Sequence, residues 1–203
     1  MACNLNHVKA AGTGCKESPA GVSNFCMVVP LFADYIAAIG PNDTKPEYVI
    51  TLPQGKTALE GFRIEFKGLS GQVTSDDNGD GSAWAHTGTG LVDRNEAVMS
   101  LISRTLSNLA GKYLVFFPTG KTTDAGIEWK VVGNEFGDCT WNVTGDSGKN
   151  RNDEHGLTFS VTCPYQVYPI MWWYGTINQA TAITIATDDT SDMVTIEDEF
   201  DAA

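Results

Sequence analysis

The chain has 203 residues, of which 25 are acidic and 13 basic, so its formal net charge is −12. Nucleic-acid binding needs clustered Lys and Arg, and no window concentrates them, which argues against a protein that adheres to nucleic acid. Hydrophobic residues make up 42% of the chain and charged residues only 19%, and there are 21 glycines. These values argue against global disorder and predict a turn-rich, mainly β protein.

The first residues carry no basic start followed by an apolar run, and no apolar run is long enough to cross a membrane. The sequence therefore predicts neither a signal peptide nor a membrane span. The five cysteines form no C-x-x-C pair, and their odd number argues against a complete disulfide framework. We expect reduced, mostly buried thiols at Cys3, Cys15, Cys26, Cys139 and Cys163.

Seven or eight strands and a single helix are predicted along the chain. The clearest strand pattern lies in residues 58–67, where Phe62, Ile64 and Phe66 alternate with charged residues. Other short apolar runs bounded by Gly, Pro or Asn have the same character. The predicted strands cover residues 25–32, 48–52, 58–67, 112–117, 127–132, 139–144, 157–163 and 181–187.

Residues 68–93 hold six glycines and few large apolar side chains. This composition predicts a long mobile hairpin or loop, and such segments usually serve an interface or a ligand. Within it, Asp76, Asn78 and Asp80 have the spacing of a calcium loop, but Thr87 replaces the glutamate required at the twelfth position. An ordinary acidic turn is the favoured interpretation, with no metal site predicted.

The predicted helix begins after Asp93, which together with Glu96 forms a capping box. Apolar residues then recur at three- and four-residue spacing as far as Leu109, so one face should pack against a sheet. Gly111 is placed to end the helix in a left-handed conformation. A mainly β fold follows, an antiparallel β-barrel or sandwich of seven to eight strands with one α-helix packed on it.

No constellation of catalytic or cofactor-binding residues is recognisable, so neither an enzyme nor a cofactor is predicted. The three histidines lie far apart, and no nucleophile elbow or phosphate-binding loop occurs. Trp172, Trp173 and Tyr174 stand in succession, and three rings cannot all point into one core from a regular strand. At least one ring should therefore face a partner or a covering segment.

Three pieces of the chain together resemble the major tail, or tail tube, proteins of tailed bacteriophages of gut bacteria. The opening Met-Ala-Cys-Asn-Leu, followed by Gly-Cys-Lys-Glu-Ser at 14–18 and Gly-Val at 21–22, is similar to an opening of that group. Residues 95–108 and then 112–117 match its helix-then-strand order. Residues 128–140 and 156–169 resemble its final hairpin.

The resemblance implies a subunit that assembles into stacked, usually hexameric rings and forms the conduit for phage DNA. Its partners would be copies of itself, other tail or neck proteins, and DNA in transient passage without sequence-specific binding. It would be made in the host cytoplasm and located in the virion tail. Residues expected at subunit contacts are Cys15, Asp76, Asp80, Trp84, Trp172 and Trp173.

Two alternatives stay open from the sequence: a tail terminator or baseplate component, and a capsid- or tail-decorating β-sandwich that binds glycans through the aromatic cluster. The expected organisation is an N-terminal arm (1–24), one β-rich domain (25–187) containing the long loop 68–93, and an acidic C-terminal tail (188–203). The tail holds seven acidic residues and no basic one. Such a run is usually solvated or disordered.

Overall fold

The computed structural model of the chain describes residues 22–67, 70–77, 83–92, 96–146, 156–180, 182–186 and 193–197. These residues form fourteen strands and one helix. In chain order they are β1 Phe25–Pro30, β2 Ala38–Pro41, β3 Tyr48–Thr51, β4 Leu59–Glu65, β5 Gln72–Asp77, β6 Trp84–Val92, α1 Glu96–Asn108, β7 Tyr113–Thr123, β8 Gly126–Val132, β9 Thr140–Asp146, β10 Gly156–Gln166, β11 Met171–Gly175, β12 Ile177–Gln179, β13 Ala182–Ala186 and β14 Met193–Glu197.

Two sheets carry the fold. One has six strands in the order β11-β8-β7-β1-β4-β12, and the other has four in the order β5-β6-β10-β9. Neighbouring strands are antiparallel except β12, which runs parallel to β4. The pairs β2–β3 and β13–β14 form two further hairpins. The predicted mainly β sandwich with one helix is therefore confirmed, although the strands outnumber the predicted seven or eight.

A first core lies between the two sheets. Strand alternation directs Val28 of β1 and Phe117 of β7 towards Phe159 and Val161 of β10, and all four are fully buried. Phe66 lies between two of these rings, with centroids 6.3 Å from Phe117 and 5.7 Å from Phe159. The inward-facing side chains of the two sheets thus interdigitate, as in other β-sandwiches.

A second core lies on the opposite face of the six-stranded sheet. Here Val29, Phe116 and Trp129 pack with Met171 beneath the β2–β3 hairpin. The sheet is consequently covered on both faces, which explains why β1 and the first half of β7 are continuously apolar rather than alternating.

Helix α1 packs its predicted apolar face on the end of the four-stranded sheet. Ile102, Leu106 and Leu109 are buried in the first core, and Trp141 Nε1 of β9 donates to Ser103 Oγ at 3.1 Å. Gly111 follows with φ +80°. A Cβ there would lie 2.5 Å from the Gly137 carbonyl oxygen. Glycine is therefore required both by the left-handed backbone conformation and by this close contact.

Of the two forms predicted for residues 68–93, a long hairpin or a loop, the described residues form a hairpin. It consists of strands β5 and β6, and β6 is an interior strand that also pairs with β10. Two glycines of this segment lie in close packing contacts. A Cβ on Gly88 would lie 2.5 Å from the Phe117 ring, and one on Gly90 would lie 2.7 Å from the Phe159 ring.

The expected boundary at residue 187 is crossed by a hairpin. Met193–Glu197, inside the predicted acidic tail, pairs with Ala182–Ala186. The run of acidic residues predicted a solvated or disordered segment. Within it, Val194, Thr195 and Ile196 are three successive β-branched residues, which favour a strand. The predicted N-terminal arm is described only from residue 22 onward. Val22 packs against the first core, and the Ser23 N–H donates to the Pro118 carbonyl at 2.7 Å. Residues 1–21 lie outside the described residues.

Candidate functional site

The outer face of the four-stranded sheet is formed by short, uncharged polar side chains. Because inward positions are taken by core residues, the alternate positions of all four strands face outward. Registers between the strands place these side chains in cross-strand rows. We call this surface the hydroxyl face, formed by Gln72, Thr74, Thr87, Thr89, Thr140, Asn142, Thr144, Thr158, Ser160 and Thr162.

One row of the hydroxyl face crosses the whole sheet. Thr74 pairs with Thr87, Thr87 with Thr162, and Thr162 with Thr140. Within it, Thr87 Oγ1 and Thr162 Oγ1 are 3.2 Å apart and share a hydrogen bond. The sequence shows Thr, Ser and Asn at alternate positions of β9 and β10. Without the register between the strands, it does not show which of these side chains lie next to each other.

The hydroxyl face carries no basic side chain at the outward positions that the structure describes on β5, β6, β10 and β9. The charged residues at outward positions are acidic and stand at strand ends: Asp76 opposite Ala85 on β5, and Asp146 opposite Gly156 on β9. Ala85 and Leu91 are the apolar members. The described outward positions therefore offer no cation to hold a phosphate.

The hydroxyl face is flanked by two free strand edges. Within the described residues, β5 and β9 each pair on one side only. The six-stranded sheet differs, because its β11 edge is held by the Trp172 N–H donating to the Pro46 carbonyl at 2.9 Å. Edge strands of this kind can pair through their backbone with another strand that approaches.

An apolar patch lies at the end of β10. Phe136, Tyr165 and Val167 are 70%, 66% and 58% exposed. Tyr165 has a left-handed backbone with φ +60° at the bulge where the β10–β6 register shifts. Bulges of this kind redirect a side chain, here a tyrosine towards solvent.

One buried amide joins the two loops of this patch. Asn134 Oδ1 accepts from the backbone N–H of Phe136 at 3.1 Å and of Gly137 at 2.9 Å. Its Nδ2 donates to the Pro164 carbonyl at 3.2 Å. The loop carrying Phe136 and the bulge carrying Tyr165 are thus held side by side.

A buried polar cluster lies behind the patch. The Tyr48 hydroxyl is 2.7 Å from the Gly133 carbonyl oxygen and 2.8 Å from Gln166 Oε1, and it can donate to one of them at a time. His86 Nε2 donates to the Tyr168 carbonyl at 2.8 Å, and its buried Nδ1 has no hydrogen-bond partner. Burial lowers the pKa of His86 and raises that of Tyr48. The cluster contains no activated nucleophile, and its hydrogen bonds orient the strand ends.

The residues considered for calcium are not brought into a described site. Asp76 lies on β5 with its side chain exposed, whereas Asn78 and Asp80 fall outside the described residues. Within the described part of the chain, no group of three or more His, Cys, Asp or Glu side chains is arranged to hold a metal ion.

The aromatic cluster lies on β11, paired with β8. Trp173 packs in the second core, with its ring centroid 5.5 Å from that of Phe116. Trp172 points to the other face, where the Lys130 ammonium lies 5.7 Å from its ring centroid. Both tryptophans are half-buried. Their side chains lie on opposite faces of β11, which is consistent with the prediction that three successive rings cannot all point into one core.

The other residues expected at subunit contacts are spread over the molecule. Trp84 begins β6 and is half-buried, opposite Gln166 of β10. Cys15 lies outside the described residues. Of the predicted contact residues that the structure describes, Asp76 and Trp84 therefore lie on the neighbouring strands β5 and β6, and Trp172 and Trp173 lie on β11 of the six-stranded sheet. The hydroxyl face, with its two free edges, is a contiguous surface that sequence reasoning did not identify.

Comparison with protein-family models, with curated proteins and with solved structures finds no match for this chain. Among the described residues, no helix has the length and apolar character needed to cross a membrane.

Proposed function

We propose that this protein is a structural subunit of a bacteriophage tail, which assembles with copies of itself into stacked rings enclosing a conduit for DNA. The observation that carries the proposal is the hydroxyl face between two free edges, β5 and β9. The resemblance of the sequence to tail tube proteins supplies the biological setting. Further tail or neck proteins would then be its other partners, in the virion.

The strand directions suit head-to-tail assembly. Each neighbouring pair in β5-β6-β10-β9 is antiparallel, so β9 runs opposite to β5. Strand β5 of one subunit can therefore join β9 of the next and continue the antiparallel pattern. Such a heterologous contact leaves one free edge at each end of the growing assembly, and a ring closes when the rotation per subunit allows it.

The composition of the hydroxyl face suits passage of DNA. A wall bearing Lys or Arg would bind phosphates by releasing counterions and would hold the DNA in place. Thr, Ser, Asn and Gln side chains remain hydrated and offer no such attraction. A continuous sheet made from this face would consequently let DNA slide.

A pair of edge variants tests the assembly. Val73 of β5 and Val143 of β9 both face the first core and are partly buried. A lysine at either position can reach water at a free edge but would be buried by a joining strand, which blocks pairing there. We expect the wild type to form rings or tubes by electron microscopy, and Val73→Lys and Val143→Lys each to remain monomeric.

Mixing the two variants distinguishes the geometry. Each retains one intact edge, and the two intact edges are complementary, so the mixture should form dimers and nothing larger by sedimentation. Thr158→Lys, on interior strand β10, is the matched control and should still assemble. A wild type that stays monomeric at high concentration, or a mixture without dimers, would contradict the proposal.

A further inference from the structure

Two buried cysteines lie beside each other on neighbouring strands. Thr162 of β10 pairs with Thr140 of β9, so the next position along each strand places Cys163 next to Cys139. Directly opposed residues in antiparallel strands have Cα atoms about 4.5–5.5 Å apart, within the roughly 4.4–6.8 Å that a disulfide spans. Both thiols are free.

The two thiols differ in access. Cys139 lines a cavity of about 360 Å³ between the end of α1 and the start of β9, and it is 6% exposed. Cys163 is fully buried behind it and accepts a hydrogen bond from Gln166 Nε2 at 3.3 Å. A small reagent entering the cavity meets Cys139 first.

We propose that Cys139 and Cys163 form a thiol-oxidation site that a small hydroperoxide converts into an internal disulfide. The Cys139 thiolate attacks the peroxide, so the O–O bond breaks, a sulfenic acid forms, and hydroxide leaves. Cys163 then attacks that sulfur, the S–O bond breaks, and water is released. Two thiols and one hydrogen peroxide thus give one disulfide and two waters.

The cross-link joins the residue before edge strand β9 to the bulged end of β10. Oxidation removes the hydrogen bond from Cys139 Sγ to the Tyr113 carbonyl, 3.4 Å long, and replaces it by a covalent bond. Strand β9 is then fastened to the sheet at the residue that precedes it. This inference does not depend on the proposed function.

The reaction should be slow at neutral pH and faster in alkali. The hydrogen bond with Cys163 and burial raise the pKa of Cys139, and the thiolate is the reacting form. Below that pKa, the oxidation rate should rise about tenfold for each pH unit.

The experiment uses the full chain carrying Cys3→Ser and Cys15→Ser, which leaves the three described cysteines. After treatment with hydrogen peroxide, we expect the intact mass to fall by two hydrogen atoms and non-reducing peptide mapping to link Cys139 to Cys163. Cys26 is fully buried and does not line the cavity next to Cys139, so it should stay reduced as the internal control. A disulfide-free product, or oxidation of Cys26 first, would overturn the inference.

Two variants test the order of events. In Cys163→Ala, Cys139 should stop at a sulfenic acid that dimedone traps, whereas Cys139→Ala should give neither a dimedone adduct nor a disulfide. A dimedone adduct at Cys163 in the second variant would show that the assignment of the entry thiol is wrong. The peptide that links Cys139 to Cys163 is measured in the protein that keeps both cysteines. Poor folding of either variant therefore does not affect that measurement.

Discussion

Asn134 shows how one side chain organises an exposed surface. It is 2% exposed and engages both the loop bearing Phe136 and the carbonyl of Pro164. A buried polar group of this kind lowers the stability of the protein when it has no hydrogen-bond partner. The apolar patch therefore depends on a residue that does not itself contact solvent.

Asn134→Ala should lower the free energy of unfolding by about 2–3 kcal/mol, because buried N–H groups and the Pro164 carbonyl lose their partner. Urea denaturation measures this change. Asn142→Ala, an exposed asparagine on β9, is the matched control and should change stability by less than about 0.5 kcal/mol. Equal losses in the two variants would contradict the role of Asn134.

His86 should make stability depend on pH. Burial lowers its folded pKa below the ordinary 6.5, so the neutral ring is favoured in the native state. The stability it contributes is present above pH about 6.5 and is lost as the pH falls through the folded pKa. We expect the free energy of unfolding to fall as the pH is lowered below about 6.5.

His86→Gln is the comparison for that measurement. Glutamine can still donate to the Tyr168 carbonyl but does not titrate, so its decline over the same pH range should be smaller. Effects of pH that do not involve residue 86 are common to both proteins and cancel in the difference. Identical pH profiles would show that His86 is not the titrating group.

At the scale of elements, the interior strand β6 is made possible by glycines. Gly88 and Gly90 lie on its inward side, where rings from both sheets come close. Side chains on the opposite side of the strand belong to the hydroxyl face. Strand β6 is consequently both a packing surface for the first core and the centre of the outer face.

Gly88→Ala should destabilise the protein by about 1–3 kcal/mol, because the new Cβ would lie 2.5 Å from the Phe117 ring. Thermal and urea unfolding measure the loss. In Gly40→Ala of β2, no atom lies within 4 Å of the added Cβ, and stability should remain within about 0.5 kcal/mol. If Gly88→Ala were as stable as Gly40→Ala, β6 would not pack as described.

At the scale of the whole molecule, charge is distributed unevenly. Of the net −12, the final 16 residues contribute seven acidic side chains and no basic one, whereas the outward positions of the four-stranded sheet include two acidic residues, Asp76 and Asp146. The property that matters for a DNA conduit is thus the absence of basic side chains at the described outward positions of this face, rather than the total charge.

Thr87→Lys combined with Thr162→Lys places two positive charges side by side on the hydroxyl face. Assembled particles of this variant should retain double-stranded DNA, with an affinity that falls steeply as salt rises. Wild-type particles should retain none. Filter binding over a salt series measures the difference.

Lysines at Thr51 and Thr122, exposed positions away from the hydroxyl face, provide the control with the same net charge. Particles carrying them should retain less DNA than the face variant. Equal retention by both would show that the face does not line the conduit.

Local pattern predicted some elements well and others poorly. Strand β4 and helix α1 were recognisable because an alternating or a three-to-four-residue apolar period needs only neighbouring residues. For residues 68–93 the sequence left a hairpin and a loop both open. Strands β5 and β6 could not be placed individually because Gly88 and Gly90 are explained by the rings of Phe117 and Phe159, which are distant in the chain. Strand β11 was not predicted because its residues were interpreted as an aromatic cluster. Strand β14 was not predicted because it lies in a segment rich in acidic residues.

The sequence by itself determined that this is a mainly β protein with a substantial core and one amphipathic helix, because composition and periodicity are local properties. Only the tertiary structure decided which strands are neighbours. The threonine row of the hydroxyl face, the free edges β5 and β9, the contact of His86 with Tyr168 and the pairing of Cys139 with Cys163 all join residues distant in the chain. Such contacts depend on strand order and register, which long-range packing selects.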